Sequence, residues 1–258
     1  MGNANTETRR LAVELGLPEG SVRVQMDVPT GEVPMEGLLP ALRTTADALV
    51  AFGAALSKRD GRPVSCTKGC GACCRQVVPT APAEARRIAA LVEEMPEPRR
   101  SVVKGRFAAA WKRIEEAGLL PALEGQGPRA PGGAVEVGLA VFRLGIPCPF
   151  LEEESCSIYE ERPIACREYL VTSDPARCSA PTPETVAPVP LPTRVWAAVA
   201  REEQGIADGG PVPLVPLILA PRWAAANPEP GARRPGPELL RKVYDRFAND
   251  LRRGREKR

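Results

Sequence analysis

The sequence predicts a mainly α-helical protein with a small β element, organised around an irregular cysteine-cluster metal-binding core. Three observations lead there. Long stretches place apolar residues three or four apart, the period of a helix buried on one face. Eight cysteines fall into two groups, Cys66, Cys70, Cys73 and Cys74 within nine residues, then Cys148, Cys156, Cys166 and Cys178. Histidine is absent from all 258 residues. A chain of this length can bury a core without disulfides.

Taken in order, residues 1 to about 20 are polar and then mixed, and a loose lead-in is expected. Ser21 to Val28 alternates, with Val22, Val24, Met26 and Val28 on one side, which predicts a half-buried strand. From Glu36 to Ser57, Leu38, Leu39, Leu42, Ala46, Leu49, Val50, Gly53 and Leu56 follow helical spacing. After the first cysteines, Val77-Val78-Pro79 is extended, Thr80 is a candidate cap, and Pro82 opens a helix to about Met95. Another helix, from about Arg99 to Ala117, should bury Val102, Val103, Phe107, Trp111 and Ile114, with Gly118 ending it. Gly125 to Gly133 predicts a surface loop, whose prolines and missing flanking strand argue against a nucleotide cradle. Ala134 to Leu144 alternates through Val135, Val137, Leu139 and Val141, predicting a strand paired with the one at Ser21. The proline-rich stretch Ser179 to Pro192 predicts a semi-rigid strap or linker. Helices follow at Thr193 to Gln204, around Pro213 to Ala226, and from Pro237 to Leu251. The expected organisation is a strand and helix in residues 1–62, the cysteine cluster in 63–180, and the strap with C-terminal helices in 181–258.

Charge and composition exclude several functions. With 35 basic and 32 acidic residues, the net charge of +3 gives no footprint for nucleic acid. The basic tail Arg252 to Arg258 reads as a solvated terminus. The longest apolar run noted, near Leu214 to Ala226, is too short to span a bilayer, so no membrane partner is expected. No signal peptide is visible at the start, which predicts a cytoplasmic location with reduced thiols. Without histidine there can be no Ser-His-Asp triad, Cys-His pair, HExxH hydrolase or His-containing finger. Any metal must sit on thiolates, with carboxylate, backbone or water as the other donors.

The first group spells CxxxCGxCC, and its glycines allow a turn tight enough to converge thiols. Thiolates two or three residues apart hold zinc or iron-sulfur centres in this way. Adjacent Cys73 and Cys74 are expected to diverge, so one could serve a second ion, or both a polynuclear centre. Two separate sites and one shared centre both remain open. Four thiolates around a divalent ion leave a net negative charge. Arg167 and Lys68 are candidate compensating donors, while Tyr159, Arg162 and Pro163 are read chiefly as fixing a turn. Buried or disulfide-bonded cysteines without metal are the plainer alternative, and the clustering argues against it.

The second group supplies context as well as thiols: Cys148-Pro149-Phe150-Leu151, Cys156-Ser157-Ile158-Tyr159, Arg162-Pro163 and Cys166-Arg167. With the first group, it resembles the YkgJ or CxxCxxCC family of zinc- or iron-chelating domains, over roughly Cys66 to Cys178. The resemblance implies metal binding by the eight cysteines. This chain departs from the family name by placing three residues, not two, between Cys66 and Cys70.

The expected function is a metal-binding protein holding zinc or iron, including an iron-sulfur centre, through two quartets; catalytic residues cannot be named. Flagellin lysine N-methylase resembles this family in its cysteines, which makes metal-dependent protein N-methylation the alternative, although no glycine fingerprint for a methyl donor is present. A metal-stabilised partner-binding module, using the strap or the last helix, is the third reading. Cys66, Cys70 and Cys73 also match the CxxxCxxC of radical S-adenosylmethionine enzymes, but Ala72 stands where those usually carry an aromatic, and no alternating strands and helices follow.

Overall fold

In the computed structural model, the described residues are 7–125, 133–182, 184–208, 212 and 214–256. Helices dominate. The predicted strand is present as β2 (Gly20–Pro29), and its partner is β1 (Thr8–Leu17), antiparallel, with Val13 opposite Val24 and Leu15 opposite Val22. The lead-in expectation is therefore corrected: Leu11, Val13, Leu15 and Leu17 alternate as cleanly as the residues of β2, and Gly20 takes the positive φ (146°) that the tight reversal needs.

The long helix α1 (Met35–Arg59) lies across this hairpin, burying Leu38, Leu39, Leu42, Ala46 and Leu49 against Val24, Met26 and Val28. It corrects the view that no segment is of membrane length: by length and composition α1 is apolar enough to cross a bilayer, with mean hydropathy 1.2 over its best window. More than half of that window is buried inside the protein (56%), as the central helix of a packed core would be. Two later helices complete this core, α7 (Val195–Glu203) and α9 (Gly236–Glu256), the latter through Leu239, Leu240, Val243 and Phe247. The same cluster takes in Ala81, Ala83 and Ile164, so it draws on all three expected sequence spans.

A second cluster forms between α2 (Pro82–Glu94), α3 (Arg99–Glu116) and α8 (Ala220–Ala226). Ala81, not Thr80, caps α2; Thr80 is buried and donates its hydroxyl to the Val215 carbonyl at 2.7 Å. Phe107 is buried edge-to-face against Phe150 at 5.5 Å, whereas Val102, expected inside, is 49% exposed. After the one-turn helix α4 (Leu120–Leu123), the expected loop falls largely on 126–132, outside the described residues.

The expected strand at Ala134 to Leu144 is instead the helix α5 (Gly133–Arg143). Val137, Val141 and Leu144, spaced by four and three, pack on Ala110 and Ile114 of α3, while Val135 is 65% exposed. Alternation and helical spacing shared the same valines, and packing against α3 decided between them. The remaining sheets are all two-stranded: β3 (Glu32–Val33) with β8 (Arg234–Pro235), β4 (Pro79–Thr80) with β7 (Val215–Pro216), and β5 (Leu151–Glu152) with β6 (Ser155–Cys156). The helix α6 (Ile164–Glu168) carries Cys166.

The proline-rich stretch is a strap. Val171 bridges to Pro188, Thr172 N–H donates to Ala187 C=O, and Val189 N–H donates to Leu170 C=O. Val186 and Val189 are buried, and the strap runs directly over Gly53 of α1.

Candidate metal centre

The backbone gathers the two cysteine groups around one short turn. Ser65 N–H donates to the Val171 carbonyl at 3.0 Å, and Val171 N–H donates back to the Cys66 Sγ at 3.3 Å. Gly69 adopts φ 87°, a left-handed conformation that glycine adopts without strain, and Cys70 N–H closes on the Thr67 carbonyl. Ala72–Arg75 then form a single 3-10 turn holding Cys73 and Cys74. Within this turn the Cys74 thiol is close enough to Cys73 to push its pKa up.

Cys148 meets this turn directly, its N–H donating to the Cys74 carbonyl at 2.7 Å. From there the chain forms the β5–β6 hairpin, with Glu153 and Glu154 at positive φ in its turn and Cys156 on its second strand. The hairpin turn docks on the first cysteine group. Arg75 clasps Glu154 through two nitrogens, at 2.9 and 2.7 Å, and also donates to the Gly71 carbonyl. Glu84, buried on α2, accepts from Ala81 N–H and, at 2.7 Å, from Ile164 N–H, fixing the start of α6 and hence Cys166. Cys178 lies in a 3-10 turn, Pro175–Ser179, whose start is capped by Asp174, and it packs with Val171, Val186 and Cys66.

All eight cysteines are free thiols. They do not sort in space as they do in sequence. Cys178 has Cys66, Cys70 and Cys73 as charge neighbours, whereas Cys166 has Cys148, Cys156 and Cys73. Cys73 is common to both gatherings. Burial pushes the Cys66, Cys156, Cys166 and Cys178 thiols up, each raised further by neighbouring thiols, and pushes Cys148 to about 12. Cys73 rises too, because its hydrogen bond with Cys74 favours the neutral form and burial adds to it. Among the described residues, no three thiol or carboxylate side chains are arranged to hold one ion as they stand. The donor chemistry nonetheless fits a soft metal: eight unpaired sulfurs, drawn from both ends of a long loop, with no imidazole to compete.

Residues 65–183 match the family described as CxxCxxCC, a "putative zinc- or iron-chelating domain". This segment is similar to the CxxCxxCC domain over that span. It contains all eight cysteines, and metal chelation is the activity its description carries. Neither a curated protein nor a solved structure matches the chain.

Of the candidate compensating donors, Arg167 donates its side-chain hydrogen bonds to Asp47, to the Glu160 carbonyl and to the Arg162 carbonyl, while its charge still acts on Cys156. Lys68 is exposed on the turn. Tyr159 is 56% exposed and carries the Arg162 guanidinium on its ring at 4.1 Å. Sequence reading missed Arg75, Glu154 and Glu84. Nothing local pairs residues so far apart, although a buried glutamate at the third position of a proline-started helix is a capping signal.

Proposed function

We propose that the protein chelates zinc or iron through its eight cysteines in two interleaved groups, Cys66, Cys70 and Cys178 on one side, Cys148, Cys156 and Cys166 on the other, with Cys73 and Cys74 between. The observation that carries this reading is the direct bond from Cys148 N–H to the Cys74 carbonyl, which brings thiols from two distant stretches to one turn. Packing so many ionisable thiols together is unfavourable unless they stay neutral or a cation joins them. A divalent metal turns their mutual repulsion into ligation and releases their protons. When bound, zinc would supply a closed structural tetrathiolate, and iron a redox-capable centre. The free thiols suit a reducing, cytoplasmic setting. A docking role for the strap has less support, because Val186 and Val189 are buried beneath it.

Metal analysis and an absorption spectrum of anaerobically purified protein separate the two metals. Stoichiometric zinc in a colourless sample excludes the iron form; charge-transfer colour with iron excludes the zinc form. Absence of any metal, with all eight thiols alkylated in the native state, overturns both. Cys166→Ser should lower metal retention at Cys66 and Cys70 as well, if the centre is shared through Cys73. Unchanged retention there means two independent sites.

A further inference from the structure

Two arginines flank the start of α6, and their surroundings separate their roles. Arg167 is buried, and three of its nitrogens have protein acceptors: Nη1 donates to Asp47 at 2.7 Å, Nη2 to the Glu160 carbonyl at 2.5 Å, and Nε to the Arg162 carbonyl at 3.3 Å. Arg162 is held differently. Its guanidinium stacks on Tyr159, and its Nε–H is buried without an acceptor. A buried donor left unpaired is uncommon, and it calls for a partner that the polypeptide alone does not supply. Arg162 lies close enough for its charge to reach Cys73 and Cys156; the charge of Arg167 reaches Cys156 as well, but its nitrogens already have protein acceptors, whereas the Arg162 Nε does not.

We propose that Arg162 is the charge-compensating donor of the metal centre, giving its Nε–H to the thiolate sulfur of Cys73 or Cys156 when metal is bound. This rests on the metal-chelating reading above. A ligating thiolate is an acceptor that a neutral thiol is not, so metal binding creates the missing partner. The Tyr159 ring stacks on the guanidinium at 4.1 Å and holds its plane. Arg167 is a positioning residue: by gripping the carbonyls of Glu160 and Arg162 while anchored to Asp47, it fixes the turn that carries Arg162. The group served is an anionic metal–thiolate centre.

The test uses the full chain as wild type, Arg162→Gln and Arg162→Lys, stripped of metal and titrated anaerobically with Co2+. Affinity is measured by competition with a chromophoric chelator, and the thiolate-to-cobalt charge-transfer band is recorded for each. The Gln variant should bind about 10- to 100-fold more weakly, with a displaced band. The Lys variant should recover part of the affinity, because the charge remains, but not the band position, because the fixed Nε–H is gone. Far-UV circular dichroism and the thermal midpoint of the metal-free forms should match wild type. A Gln variant with wild-type affinity and band overturns the proposal; if that variant does not fold, a wild-type band in the Lys variant does so. Failure of the wild-type protein to take up Co2+ overturns the chelating reading itself, whereas uptake that is indifferent to residue 162 overturns only this assignment.

Discussion

Gly71 sits where the two halves of the cysteine cluster touch. A Cβ there would meet the Glu154 carboxylate and, at 2.9 Å, the Leu151 side chain, both in the hairpin that carries Cys156. Gly71→Ala should therefore push the hairpin off the turn and break the Arg75–Glu154 clasp. Overpacking of this kind costs about 1–3 kcal/mol, and the expected outcome is a lower thermal midpoint together with weaker metal retention, both read on one preparation. Glu203 offers a second single-residue test. It accepts from Ala83 N–H at 2.9 Å and pairs with Arg86 at 3.0 Å, yet burial raises its carboxyl from 4.5 to about 7. The folded chain then binds a proton that the unfolded chain has lost, so stability falls as pH rises from about 4.5 to about 7. In metal-free protein, Glu203→Gln should flatten the decline in thermal midpoint across that window, which is worth up to about 3 kcal/mol at 1.4 kcal/mol per unit. An unchanged slope would show that this carboxyl titrates normally.

At the scale of elements, the strap and α1 constrain each other through Gly53. An added Cβ would lie 2.8 Å from the Pro190 carbonyl and 3.0 Å from Val189. Alanine favours a helix over glycine by about 1 kcal/mol, but displacing backbone costs about 1–3 kcal/mol, so Gly53→Ala should destabilise. Chemical denaturation would show a lower midpoint; a higher one would mean that the strap yields freely. These elements differ in how far the sequence revealed them. The leucines of α1 had only one reading, because a run of that length at helical spacing cannot alternate as a strand. The valines of α5 satisfied two periods at once, and only the surface of α3 distinguished them. The first strand carries the same alternating signal as the second, at Leu11, Val13, Leu15 and Leu17, but a polar run of chain precedes it. For the candidate centre, the sequence supplied the eight cysteines but not their spatial grouping: Cys178 packs with Cys66 because residues 171 and 65–66 bond across the intervening chain, a contact that no local pattern encodes.

Across the whole molecule, the largest apolar cluster and the cysteine centre are distinct supports. The first is built chiefly from the hairpin, α1, α7 and α9, with Ala81, Ala83 and Ile164 added from the segment around the cysteines, and contains no cysteine itself. Removing the metal with a strong chelator should therefore loosen the segments around residues 63–78 and 146–180 while leaving that core folded. Limited proteolysis should cut first within those segments, and hydrogen exchange in α1 and α9 should remain slow. Global unfolding on chelation would show instead that the metal holds the entire fold.

The bond between Ser65 and Val171 joins positions 106 residues apart. During synthesis, the first four thiols emerge long before the partners that complete their surroundings, and no local folding can supply Cys178 early. A nascent chain must pass through a stage with exposed, unsatisfied thiolate-forming residues, open to oxidation or to the wrong ion. On the chelating reading proposed above, the interleaving would also set when metal can be loaded: only after Cys178 has left the ribosome.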